Sequence, residues 1–91
     1  MAILNGDRAE ELNLEKARLV KAVHDIEEGK KRLRNQQDLL QDLREGGHDT
    51  KLAERLVKLL KQILAEWEQD RILIEQRMAY LREDSPRGLC Q

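Results

Sequence analysis

The sequence predicts an all-α protein in which two long helices form an antiparallel coiled-coil hairpin that dimerises into a four-helix bundle. Apolar residues recur at every seventh position in both halves of the chain, which is the spacing of a coiled-coil seam. The first row is Leu12, Leu19, Ile26, Leu33 and Leu40. The second row is Ala53, Leu60, Trp67, Ile74 and Leu81. The rows mirror each other about the Gly46-Gly47 dipeptide, so we expect the chain to fold back at this point.

Composition supports the same fold class. Ala, Glu, Lys, Leu and Arg make up more than half of the 91 residues, as is typical of long helices and coiled coils. Aromatic residues account for 2% and Phe is absent, which excludes a thick globular core of large rings. The length predicts one domain.

Helix 1 is expected to span residues 7–45, after a disordered lead at residues 1–6. Asp7 and Glu10 have the spacing of a capping box, in which each side chain accepts a hydrogen bond from a free backbone N–H group of the first turn. These two residues therefore indicate that helix 1 begins near Asp7, with Asn5 as the competing cap.

The turn is predicted at residues 46–49. Gly46 is the expected left-handed residue that ends helix 1, because glycine adopts positive φ without steric cost. Asp49 or Thr50 is expected to cap helix 2, since both side chains accept hydrogen bonds from the first N–H groups of a helix.

Helix 2 is predicted over residues 50–84, because Pro86 disfavours helix in the residue before it. Residues 85–91 are then a flexible tail. The seam of helix 2 is the fuller one, since alternating spacings of four and three add Val57, Leu64, Arg71 and Met78. We expect Arg71 either to extend to solvent or to pair with an acidic group of another chain.

The companion row of helix 1 has two alternatives, and both are weakly apolar. One is Lys16, Val23, Lys30 and Gln37, and the other is Glu15, Ala22, Gly29 and Gln36. Gly29 lies one turn beyond Ile26 and is expected close to Trp67, where a missing Cβ atom would make room for the indole. A kink or a tolerated defect is the alternative interpretation of this glycine.

A surplus of leucines near the turn predicts a partner interface. These residues widen the apolar arc of each helix beyond the ~100° that one neighbour covers, and an exposed apolar patch marks an interaction site. The predicted interface is Leu39, Leu43, Leu52, Leu56, Leu59 and Ile63. The expected partner is a second copy of the chain, because two-fold homodimers are the commonest oligomers. Another helical protein is the alternative partner.

No catalytic, metal or cofactor site is predicted, and the chain is expected not to be an enzyme. His24 stands beside Glu27 and Glu28, but the order is the reverse of the Glu-x-x-His pairs that build metal sites in helix bundles. The sequence contains no phosphate-binding loop, nucleophile elbow or Cys-x-x-Cys motif.

The strongest local charge run is residues 30–34, with four basic residues. Glu27 and Glu28 lie four residues before Lys31 and Arg32, which favours pairing along the helix surface. No aromatic residue is interleaved to stack a base. A solvated helix face is therefore favoured, and nucleic-acid association is the minor alternative.

The predicted function is that of a self-associating module for protein–protein interaction, scaffolding or regulation. The alternative is a chaperone or inhibitor of one protein client. A net charge of −1 argues against attraction to membrane surfaces or nucleic acid. Cys90 is the only cysteine, and it is compatible with the reducing cytoplasm, where we expect the protein to reside.

Overall fold

The structure is a computed structural model that describes residues 2–82, with the backbone alone for residues 2–6. These residues form two α-helices and no strand: α1 spans Ala2–Glu45 and α2 spans Lys51–Arg82. The two helices pack against each other through apolar side chains. This arrangement confirms the all-α helical hairpin predicted from the heptads.

Helix α1 begins at Ala2, earlier than the predicted start at Asp7. The disordered lead predicted for residues 1–6 is therefore wrong for residues 2–6, and Asp7 lies inside the helix instead of capping it. In the added segment, residues 2–6, only Gly6 disfavours helix, since a glycine lowers helix stability by about 1 kcal/mol relative to alanine. Each added residue in turn gains a helical hydrogen bond.

The turn closes α1 with a Schellman motif centred on Gly47. The N–H of His48 donates to the carbonyl of Leu43 over 2.9 Å, and the N–H of Gly47 donates to the carbonyl of Arg44 over 3.1 Å. Gly47 has a φ of 71°, so the left-handed residue is Gly47 and not Gly46 as predicted. Gly46 still donates a helical hydrogen bond to the carbonyl four residues earlier, over 3.0 Å.

Of the two predicted caps of α2, Asp49 supplies the capping side chain and Thr50 supplies the first backbone carbonyl of the helix. The carboxylate of Asp49 accepts a hydrogen bond from the N–H of Lys51 over 3.1 Å. The carbonyl of Thr50 accepts the first helical hydrogen bond from the N–H of Glu54, and the Thr50 hydroxyl donates to the Glu54 carboxylate, each over 2.9 Å. The predicted tail, residues 85–91, and the predicted end of helix 2 lie outside the described residues.

The chain divides into two compact units, each containing a stretch of both helices. Unit 1 consists of Met1–Val23 and Gln69–Gln91, and unit 2 is His24–Glu68 with the turn. Among the described residues of unit 1, Ile74 and Met78 are buried. Three seam leucines of the same unit are half-buried: Leu12 and Leu19 of α1 and Leu81 of α2.

The core of unit 2 is a cluster of Leu40, Ala53 and Val57, which are 5–8% exposed. Leu33 and Leu43 are partly buried and pack against this cluster. Leu43 therefore contributes to the contact between α1 and α2, although the sequence assigned it to a partner interface. Its side chain follows Leu40 by three residues, which places both on one side of α1.

Of the two rows predicted as the companion row of α1, the one that packs against α2 is Glu15, Ala22, Gly29 and Gln36. These four residues are all buried or half-buried. The members of the other row are all exposed: Lys16, Val23, Lys30 and Gln37. The small residues in the buried row let large α2 side chains approach the α1 backbone, which a row with Val and Lys at these positions would prevent.

Candidate functional site

A group of exposed apolar side chains lies near the turn, in unit 2. Four leucines are substantially exposed there: Leu52 at 69%, Leu59 at 50%, Leu39 at 46% and Leu56 at 38%. Ile63, one turn after Leu59, is half-buried. We refer to Leu39, Leu52, Leu56, Leu59 and Ile63 as the leucine face. It contains every residue of the predicted partner interface except Leu43.

The heptad register places the leucine face on one flank of unit 2. Two ion pairs join the helices on the opposite flank: Arg44 Nη2 lies 3.6 Å from Glu54 Oε2, and Lys30 Nζ lies 3.8 Å from Glu68 Oε2. These four residues each directly follow a seam residue in sequence. The positions that flank the seam on one side face each other in an antiparallel pair.

Residues that directly precede a seam residue occupy the other flank. Leu39 precedes Leu40 on α1, and Leu56 precedes Val57 on α2. One flank of unit 2 is therefore closed by cross-helix ion pairs, whereas the other is apolar and uncovered. Binding of an apolar partner is the chemistry that this second flank can perform.

A shallow groove of about 320 Å³ follows the α2 part of the leucine face. The lining residues are Leu52, Arg55, Leu56, Lys58, Leu59 and Gln62. The groove thus combines an apolar floor with a basic border, and it contains no acidic side chain. An interface with an apolar centre and a charged rim has this composition.

A second cleft, of about 420 Å³, lies in unit 1 around Glu15. Glu15 is only 6% exposed. One carboxylate oxygen accepts a hydrogen bond from Arg18 Nη1 over 2.7 Å, and the other lies 3.3 Å from Arg77 Nε. Leu14 and Tyr80 line the same cleft. The carboxylate thus pairs with one guanidinium group of its own helix and one of α2, so the cluster links the two helices.

Sequence reasoning did not assign a role to Glu15. The available indication was a glutamate in one of the two candidate companion rows, with an arginine three residues later. That pattern is common on exposed helix surfaces. It becomes informative only when the packing of α2 shows that the glutamate is buried.

The other residues considered for chemistry are engaged along the helix surfaces. Lys30 lies 3.8 Å from Glu27, and Lys31 lies 3.2 Å from Glu28. The pairs are three residues apart, whereas the predicted pairs were four apart. His24 is exposed, and the described residues contain no group of three or more His, Cys, Asp or Glu that could hold a metal ion.

Arg71, the charge that interrupts the seam of α2, is half-buried. Its Nη1 atom lies 3.2 Å from the Glu75 carboxylate, one turn along the same helix. The guanidinium therefore turns along its own helix, in the manner of a side chain that extends from an apolar seam toward water.

Neither described helix is both long enough and apolar enough to cross a bilayer. Comparison of the chain with protein-family models, with curated proteins and with solved structures gave no match.

Proposed function

We propose that this chain is a non-enzymatic helical hairpin that self-associates through its leucine face and serves as a protein–protein interaction or scaffold module. The observation that carries the proposal is the exposure of Leu39, Leu52, Leu56 and Leu59, between 38% and 69%, on one flank of unit 2. Covering apolar surface contributes about 25 cal/mol per Å², so burial of these side chains is the term that favours association.

A second copy is the partner that the packing favours. Even the well-buried apolar residues Ile26, Ala53 and Met78 are 3–5% exposed, because each helix of a hairpin is covered on one side only. Small chains with thin cores commonly gain stability by oligomerisation. Two hairpins joined through their leucine faces form a four-helix bundle, in which every helix has two neighbours.

The composition supports a cytoplasmic location for this function. The single cysteine, Cys90, and the net charge of −1 suit a soluble protein of the reducing cytoplasm. Affinity comes from the apolar side chains, and the charged residues beside them determine which orientation is favoured.

Sedimentation equilibrium on the full chain, from low to high micromolar concentration, tests the proposal. We expect a dimer for the unmodified chain. Leu59→Glu should weaken self-association about tenfold or more, since it introduces a charge into an apolar interface. Leu14→Glu is the matched control, because Leu14 is 51% exposed and Leu59 is 50% exposed. The control should leave the dimer unchanged.

Circular dichroism of both variants verifies that the helices remain formed. A monomer at high micromolar concentration, or equal weakening by the two substitutions, would overturn the proposal. A monomer that binds an apolar dye, and releases it on addition of another protein, would instead support the alternative function of a chaperone or inhibitor of one client.

A further inference from the structure

The outward side of α2 in unit 1 carries no charged residue between Gln69 and Tyr80. At about 100° per residue, six positions of this stretch lie within about 60° of the direction opposite the seam. All six are exposed: Gln69, Ile72, Leu73, Gln76, Ala79 and Tyr80. We refer to these residues as the uncharged face, and Gln76 lies at its centre.

The charged residues of the same stretch lie on the side of the seam, about 100° or more from the centre of the uncharged face. They are Asp70, Arg71, Glu75 and Arg77. Arg77 Nε lies 3.3 Å from the carboxylate of Glu15 on α1. Arg71 Nη1 lies 3.2 Å from the carboxylate of Glu75. The outer side of the helix is therefore left without the charges that usually face water.

The other outward stretches of the hairpin do carry charges at the equivalent positions. Examples are Lys21 on α1 of unit 1, Lys31 on α1 of unit 2 and Glu66 on α2 of unit 2. Charged residues make up 38% of the chain, so an exposed stretch without any departs from the pattern of the remaining surface. A helix that lacks a charged outer side is typical of one that is covered by a further neighbour.

Three large side chains supply the apolar area of the uncharged face. Ile72 is 39% exposed, Leu73 43% and Tyr80 72%. Tyr80 is one of two aromatic residues in the chain, and the other, Trp67, is half-buried. Tyrosine is enriched at protein interfaces, because it combines a large apolar ring with a hydroxyl group.

The polar groups of the uncharged face can pair with their own kind. The amides of Gln69 and Gln76 and the hydroxyl of Tyr80 each donate and accept hydrogen bonds, whereas a lysine only donates and an ionised carboxylate only accepts. A two-fold contact brings the same patch of both copies together, so the patch must be complementary to itself. The uncharged face meets this requirement without any contact between like charges.

We propose that the uncharged face is a second self-association surface, through which dimers of this chain join into larger assemblies, beginning with a tetramer. The inference goes beyond the proposed function, because it concerns the other unit and no residue of the leucine face. The contact is the weaker of the two, since it offers three large apolar side chains and the leucine face offers five. We expect it to form at about millimolar concentration.

Opposite charges introduced at the centre of the face test the proposal. Gln76→Lys and Gln76→Glu each place like charges across the two-fold contact, so each should weaken it about tenfold or more. An equal mixture of the two variants should restore it, because the charges then attract. Glutamine, lysine and glutamate have similar helix propensities, so both variants should fold. Gln37→Lys, at an exposed residue beside Arg44 and Glu54, is the matched control.

Sedimentation equilibrium up to about millimolar concentration measures the assembly. We expect a mass above that of a dimer for the unmodified chain, for Gln37→Lys and for the mixture, and no more than a dimer for either Gln76 variant alone. An unmodified chain that never exceeds a dimer, or a mixture no heavier than its components, would overturn this inference and leave the proposed function standing.

The two proposals fail separately. A monomer at high micromolar concentration would overturn the proposed function. A dimer that then forms at about millimolar concentration, and is lost in Gln76→Lys, would still support the second surface.

Discussion

Gly29 of α1 lies directly against Leu64 of α2. A Cβ atom added to Gly29 would be 2.7 Å from Leu64 Cδ2 and 3.2 Å from Trp67 Cζ3. Real Cβ atoms do not approach neighbours as closely as the first distance, and Leu64 is only 8% exposed. The glycine is therefore a packing residue that accommodates two large side chains, as the sequence interpretation favoured.

Gly29→Ala should lower the free energy of unfolding by about 1 kcal/mol. The gain in helix propensity is about 1 kcal/mol, whereas overfilling a packed core costs about 1–3 kcal/mol. In a Leu64→Ala background the same substitution should raise the free energy of unfolding, because the clashing atom is gone. Urea unfolding of the four chains at one protein concentration measures this coupling. Stabilisation in the native background would show that Leu64 moves aside without cost.

Gly47→Ala should destabilise the chain by about 1 kcal/mol, because Gly47 has a φ of 71° and a Cβ atom is disfavoured in that conformation. Gly46→Ala is the control within the same turn. Its Cβ would approach the ring of His48 at 2.8 Å, but that imidazole is exposed and can rotate away. Thermal unfolding measures the stability of both variants. An equal loss of stability in the two would contradict the assignment of Gly47 as the left-handed residue.

Glu15→Leu should leave the free energy of unfolding unchanged or raise it, because apolar replacements of buried charges are often neutral or stabilising. Arg77→Met should instead lower it by about 1 kcal/mol, since the carboxylate stays buried with Arg18 as its remaining partner. The loss is modest because the Arg77 side chain is 52% exposed. Urea unfolding measures both, and Glu27→Leu, at a side chain 62% exposed, is the surface control.

Leu39→Ala and Leu40→Ala should separate self-association from folding. Leu40 is 7% exposed and belongs to the core cluster of unit 2, whereas Leu39 is 46% exposed on the leucine face. Leu40→Ala should lower the free energy of unfolding by about 2–4 kcal/mol. Leu39→Ala should weaken the dimer and leave the unfolding of the dissociated chain nearly unchanged. Melting curves at dilute concentration give the stability of the dissociated chain, and sedimentation at high concentration gives the affinity of the dimer. Equal melting shifts in the two variants would contradict the assignment of Leu40 to the core and Leu39 to the leucine face.

Much of this architecture could be predicted from the heptads. Periodicity is a local property of a helix, so a row such as Val57, Leu64 and Met78 identifies the buried side of α2 before any neighbour is known. The Gly46-Gly47 dipeptide likewise indicates the turn, because it is the only pair of consecutive glycines in the sequence and it separates the two apolar rows. The two helices and their packing follow from these patterns.

Heptad periodicity alone predicts that α1 and α2 form a hairpin and which row of α2 faces inward. The packing of α2 was needed to show that α1 turns Glu15, Ala22, Gly29 and Gln36 toward α2. The physical reason is that small and polar residues carry no hydrophobic periodicity. Their burial depends on the shapes opposite them, above all on Leu64 and Trp67, which only an α1 backbone without a Cβ atom at residue 29 can accommodate.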